Sequence, residues 1–143
     1  MDPQDEYTLS KVLGEAIANT FARHYGLTVV SMRFAGVKEI DKIWHLEPGQ
    51  EPDVTTCMYS YVGTHDAARA CYLAATADLP ANTHIPLLIA ARDTYVDMPS
   101  LDFARHYYPA AEIRPGLERF GSFVNGARAE QVLGFVPEYS CRR

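Results

Sequence analysis

Apolar residues Leu9, Val12, Leu13, Ala16, Ile17 and Phe21 recur every three to four positions, which predicts an amphipathic helix running to Tyr25. Asp2-Pro3 reads as its start, an N-cap acceptor followed by proline at the first helical position. Gly26 reads as its end, in the left-handed position that follows a last turn. The run Thr28-Val29-Val30-Ser31-Met32-Arg33-Phe34 is β-branched and apolar with little alternation, which predicts a strand covered on both faces, as in a parallel sheet. Residues 36–56 are polar, with Pro48, Gly49 and Pro52, and predict a long loop of the functional kind. Cys57 to Val62 reads as a short strand, and Thr64 as the cap of a helix to about Ala77. Ile85 to Ala90 is a second covered strand. Ser100 is expected to cap a third helix ending before Pro109. A last helix is expected from about Asn125 to Leu133, stopped by Gly134 with Pro137 beyond. Helices alternating with strands define an α/β chain, and 143 residues make a single domain.

Composition narrows the class of function. The formal net charge is −5, with 6 basic and 11 acidic residues in 1–89 and 7 of each in 90–143. A mildly acidic surface argues against non-specific binding to nucleic acid or an anionic membrane. No apolar run approaches the roughly 18–20 residues of a membrane span, and the acidic start Met1–Glu6 does not read as a signal peptide. Cys57, Cys71 and Cys141 are odd in number and form no CxxC pair, which points to a reducing, cytoplasmic setting. His24, His45, His65, His84 and His106 show no metal-ligand spacing, and no G-x-S-x-G is present. The nine glycines contain no G-x-G-x-x-G, and Gly116, Gly121 and Gly126 have the wrong spacing for one.

Tyr7 and Lys11 carry the candidate chemistry. Spaced i, i+4, they share one side of the first helix, with Gly14 and Ala18 near the same meridian. A free phenol titrates near ~10 and is a poor base at neutral pH. A neighbouring ammonium favours the phenolate, which can then take a proton from a substrate hydroxyl as hydride leaves the same carbon. The three donors of lysine suit ribose hydroxyls. The alternative is a solvated helix face.

The surrounding residues extend the pattern. The run Tyr7-Thr8-Leu9-Ser10-Lys11-Val12-Leu13-Gly14-Glu15 resembles the active-site helix of the extended short-chain dehydrogenase/reductases, the NAD-dependent epimerase/dehydratase family. Gly26 to Phe34 is similar to the strand that follows it there. Tyr61-Val62 with Asp66-Ala67-Ala68-Arg69-Ala70 resembles a later family segment, and Ala127-Arg128 with Leu133-Gly134-Phe135-Val136-Pro137 resembles the family ending. The matches keep family order from residue 5 to 140.

This resemblance implies a partial Rossmann-like fold: a truncated doubly wound parallel sheet with flanking helices and a small C-terminal, substrate-side subdomain. Residues 1–35 would be the active-site helix and its strand, and 36–143 the substrate-side part. It implies Tyr7 and Lys11 as catalytic and cofactor-holding residues, the backbone at Phe34 and Ala35 facing the nicotinamide, NAD or NADP as cofactor, and a sugar or nucleotide-sugar substrate. Among Arg105, Arg114, Arg119 and Arg128 it would place a phosphate-binding arginine, against an ordinary surface role for all four. The chain departs from the family at Gly36, where asparagine often holds substrate, and at Gly63, where an acidic residue is common. The glycine-rich phosphate loop, the acidic ribose-binding residue and the catalytic Ser/Thr lie outside it, so it reads as one half of an enzyme. Two functions follow: the substrate-side half of an oxidoreductase, completed by a second copy or a complementing chain, or a non-catalytic truncated paralogue with uncovered apolar surface that acts as an interaction module or has no activity. A homodimer would use Leu9, Leu13 and Ile17. Asp66 is expected either near a substrate pocket or as a first-turn acid serving the helix dipole. Trp44 and His45 lie in the long loop, either as substrate contacts or as satisfied loop residues.

Overall fold

The computed structural model describes residues 5–43 and 58–142. The first helix, α1, spans Glu6–Tyr25, and its N-cap is Asp5, whose carboxylate accepts the Thr8 amide at 2.6 Å. The start therefore falls later than the Asp2-Pro3 expectation, because Asp5 has the extended backbone of a cap and a side chain that reaches the first turn. Gly26 closes the helix at φ 71°, a conformation only glycine adopts without strain.

The strand β1 (Thr28–Phe34) pairs in parallel with β4 (Thr83–Ile89), from Thr28 against Thr83 to Phe34 against Ile89. The second strand starts two residues earlier than its apolar run suggested, because Thr83 and His84 complete the ladder. Residues 36–56 are not a plain loop: Gly36–Lys38 form β2, and Ile40–Lys42 form a 3-10 turn. The expected strand 57–62 is reduced to β3 (Tyr61–Gly63), parallel to β2, because Met58 and Tyr59 take positive φ. Cys57, Trp44, His45, Pro48, Gly49 and Pro52 lie outside the described residues. The two short sheets are stitched end to end, with the Ala35 amide donating to Ile89 and that of Ala91 to Tyr61.

Helix α2 spans Thr64–Thr76, α3 Ser100–Tyr107 and α4 Ala127–Leu133. Thr64 is the first helical residue and not the cap, which is Gly63 and makes no side-chain bond. Ser100 is likewise inside its helix, whose cap is Pro99; its buried hydroxyl donates to the Gly121 carbonyl at 2.8 Å. Gly134 ends α4 at φ 65°.

Strand alternation decides which face each helix covers. Ile85, Leu87 and Ile89 point into the main core with Val62, Ala70 and Leu133, which come from β3, α2 and α4. Arg33 and Ser31, of opposite parity to the core residues Val30 and Met32, face α1. Here the sheet is polar: Ser31 Oγ lies 2.8 Å from His84 Nε2. A second core of Tyr59, Val96 and Phe103, ringed by aromatics, holds α3 to the segment after β4.

The apolar stripe of α1 does not meet the sheet. Ala22 is buried and Val12, Glu15 and Ala18 are half-buried, so the small and polar residues face inward. Leu9, Leu13, Ile17 and Phe21 are 43–58% exposed. The fold is therefore mixed α/β, with a small parallel sheet flanked by helices and one helix turning its apolar side outward. Among the described residues no helix is long and apolar enough to cross a membrane.

Candidate active site

Helix α1 and strand β1 are joined by Gly26 and Leu27 alone, so the chain doubles back and the two run antiparallel. Glu15 lies about 15 Å back along α1 from Tyr25, at ~1.5 Å per residue. Arg33 lies about 16–17 Å along β1 from Thr28, at ~3.3 Å per residue. The two residues thus come level, and they lock: Arg33 Nε and Nη2 donate to the two Glu15 oxygens at 2.6 Å each. This bidentate bond holds the Glu15 carboxyl below its usual range and raises the Arg33 guanidinium further.

The consequence for Tyr7 and Lys11 is positional. Continuing up the helix from Glu15, Lys11 stands about 6 Å and Tyr7 about 12 Å farther along. The helix thereby carries the pair past the carboxyl ends of the parallel strands, the end where Phe34 and Ala35 terminate β1. Lys11 Nζ sits 4.9 Å from the Tyr7 ring centroid, so the phenol and the ammonium expected to work together are brought together. Tyr7 is 71% exposed. Ala35 is buried and Phe34 exposed.

A cavity of about 800 Å³ opens at the same end, beyond β4. It is lined by Ala90, Ala91 and Gly126 and by the aromatic rings of Tyr108, Phe123 and Phe135, among others. Neither Tyr7 nor Lys11 lines it. Of the four candidate arginines, Arg114 lines this cavity; Arg119 lies over the Phe120 ring at 5.2 Å, and Arg105 and Arg128 occupy exposed helix positions.

Asp66 has a structural task. It is fully buried, and its carboxylate accepts the amides of Glu138 (3.1 Å) and Tyr139 (3.0 Å) and Arg69 Nη2 (3.1 Å). Asp93 anchors the same tail, accepting Ser140 Oγ at 2.6 Å and the Tyr61 phenol at 2.6 Å. Burial, reinforced by that bond, pushes the Tyr61 phenol far above the usual tyrosine range, so it is no base. Burial also raises the Cys141 thiol. None of these tail contacts was foreseen, nor was the Glu15–Arg33 pair, since their partners lie 18 to 80 residues apart.

His24 and His106 pack on Tyr25 and Tyr107, and His65 stacks on Tyr139. Among the described residues no group of three His, Cys, Asp or Glu stands together as a metal site. A dinucleotide would need a glycine-bearing strand-to-helix turn for its phosphates. Val62-Gly63-Thr64 is such a junction, but Ile40 and Tyr139 side-chain atoms lie 3.1 and 3.5 Å from where a Cβ at Gly63 would stand, and buried Asp66 occupies the first turn. Packing and charge both exclude a diphosphate there. Among the described residues this junction is therefore no diphosphate site. Comparison of the chain with family models, curated proteins and solved structures finds no match.

Proposed function

We propose that this chain is the substrate-side part of an NAD(P)-dependent oxidoreductase of the epimerase/dehydratase type, acting on a sugar or nucleotide-sugar hydroxyl, with a partial Rossmann-like fold. The observation that carries the reading is the placement of Tyr7 and Lys11: a helix antiparallel to a parallel strand, pinned by Glu15–Arg33, presents both at the carboxyl end of the sheet. Ligands of open parallel sheets bind at that end. Tyr7 takes the substrate hydroxyl proton while hydride departs from the same carbon, and in the reverse direction returns it. Lys11 favours the phenolate and donates to ribose hydroxyls. The cofactor, when bound, accepts and returns the hydride. The dinucleotide-binding glycine loop comes from elsewhere, and so does the cover over Tyr7. The unpaired thiols Cys71 and Cys141 agree with a reducing, cytoplasmic setting.

The outward stripe Leu9, Leu13, Ile17 and Phe21 favours association through α1, with a complementing chain or a second copy. It equally supports a second reading, a non-catalytic interaction module that uses this face alone. Co-expression with a glycine-loop half and a panel of sugars separates the two. Hydride transfer abolished by Tyr7→Phe is expected for the enzyme. A stable assembly with no transfer on any substrate, and no effect of Tyr7→Phe, would overturn it.

A further inference from the structure

We propose that the cavity beyond β4 is a binding site for an amine-bearing sugar, a monocationic pyranose, and that it rejects nucleotide diphosphates. In calling the ligand a substrate the inference rests on the oxidoreductase reading; the binding itself does not.

Shape comes first. About 800 Å³ lies within the range of small-ligand sites and holds one or two sugar rings. Part of the lining is side chains no larger than methyl, at Ala90, Ala91, Gly126 and Ala127, so a ring can approach the backbone. Tyr108 and Phe123 offer the apolar surface that the C–H face of a pyranose needs.

Polar groups are present and few. Asn125 Oδ1 is taken by the Ala127 amide at 2.9 Å, which leaves its NH2 to donate. Ser122 Oγ accepts the Val124 amide at 3.2 Å and shares a hydrogen bond with Ser60 Oγ at 3.3 Å. These suit hydroxyls.

Charge then decides among sugars. The lining carries three carboxylates, Glu112, Glu118 and Glu130, against two guanidiniums, Arg92 and Arg114. Arg92 is already within 3.8 Å of Glu130. Arg114 stands on the loop that also bears Glu112 and Glu118. The site is thus net negative by one charge. A diphosphate would bring two more negative charges into it, whereas an ammonium brings a charge of the opposite sign and leaves the Arg92 pair in place.

The test is saturation-transfer NMR on the whole chain with no cofactor, using glucosamine, glucose and UDP-glucose as probes. Glucosamine is expected to bind saturably. Glu112→Gln with Glu118→Gln, both exposed positions, should weaken it about three- to tenfold, as expected for loss of partly solvated charge pairs. Ala127→Trp, which adds a large ring to the lining, should abolish binding of glucosamine. UDP-glucose should not displace it. Stronger binding of UDP-glucose, an unchanged affinity in the glutamine double variant, or survival of binding in Ala127→Trp would each overturn the site. Binding that persists while the complemented assembly shows no hydride transfer would leave this site standing and remove only the redox reading.

Discussion

Replacing Asp66 with alanine tests how the tail is held. The carboxylate is fully buried and receives two backbone amides, those of Glu138 and Tyr139, and the Arg69 guanidinium. Alanine removes the acceptor of both amides and the carboxylate partner of Arg69. Arg69 would keep the Val136 carbonyl, Glu138 at 3.5 Å and the Phe135 ring, but its Nε is already buried without a partner. Removing one partner of a buried, hydrogen-bonded ion pair costs about 3–5 kcal/mol. That is a large share of the roughly 5–15 kcal/mol that holds a domain folded. With a urea m-value of about 2 kcal/mol/M, the unfolding midpoint should fall by about 2 M. Asp66→Asn keeps one acceptor oxygen but sets an amide donor against a backbone N–H, so it should fall between alanine and wild type. The assay is urea unfolding followed by circular dichroism, with proteolysis at the tail as a second readout. A midpoint shift below about 0.3 M for Asp66→Ala, at unchanged m, would refute the clamp.

The Glu15–Arg33 pair carries a pH signature. The Glu15 carboxyl titrates below its ordinary 4.5, first because of the Arg33 hydrogen bonds. A depressed folded-state value means that its stability is fully present above about 4.5 and is lost as pH falls through the lowered value. The difference in unfolding midpoint between wild type and Glu15→Gln should therefore be constant near neutrality and shrink below pH 4.5; a difference independent of pH down to 2 would contradict the pairing. Along α1, Leu13→Lys with Ile17→Lys places charge on positions 53% and 58% exposed. These variants should keep the unfolding midpoint and abolish self-association or capture of a complementing chain in analytical ultracentrifugation; a wild type that stays monomeric and captures nothing would argue against the face as an interface.

What could be read from the chain follows the range of each interaction. The body of α1, its Gly26 stop, β1 and the Tyr7–Lys11 pair depend on neighbours within four residues, and all were legible. The two hydroxyl caps fail for a physical reason: the backbone turns helical one residue earlier than the hydroxyl pattern suggests, so Gly63 and Pro99 take the cap positions and Thr64 and Ser100 fall inside the first turn. Asp66 in a first turn satisfies the helix-dipole rule, yet its partners lie 72 and 73 residues on. The periodicity of Leu9, Leu13, Ile17 and Phe21 marked an apolar face correctly, but periodicity does not say what covers it; small Ala22 and the salt-bridged Glu15 won the sheet because that face of β1 and β4 carries Arg33, Ser31 and His84. The cavity joins the end of β4, the 111–118 loop and α4, and no local pattern announces it.

The most direct measurement is the fluorescence of NADH titrated into the chain assembled with a co-expressed glycine-loop half, with Lys11→Ala and Tyr72→Phe in parallel. Tyr72 is an exposed tyrosine on α2, outside the proposed site. If Tyr7, Lys11 and the end of β1 form a nicotinamide-ribose site, the emission of NADH rises saturably, Lys11→Ala weakens that binding about tenfold or more, as loss of a charge-assisted contact requires, and Tyr72→Phe leaves it unchanged. No saturable response, or one equally strong in Lys11→Ala, would contradict the account.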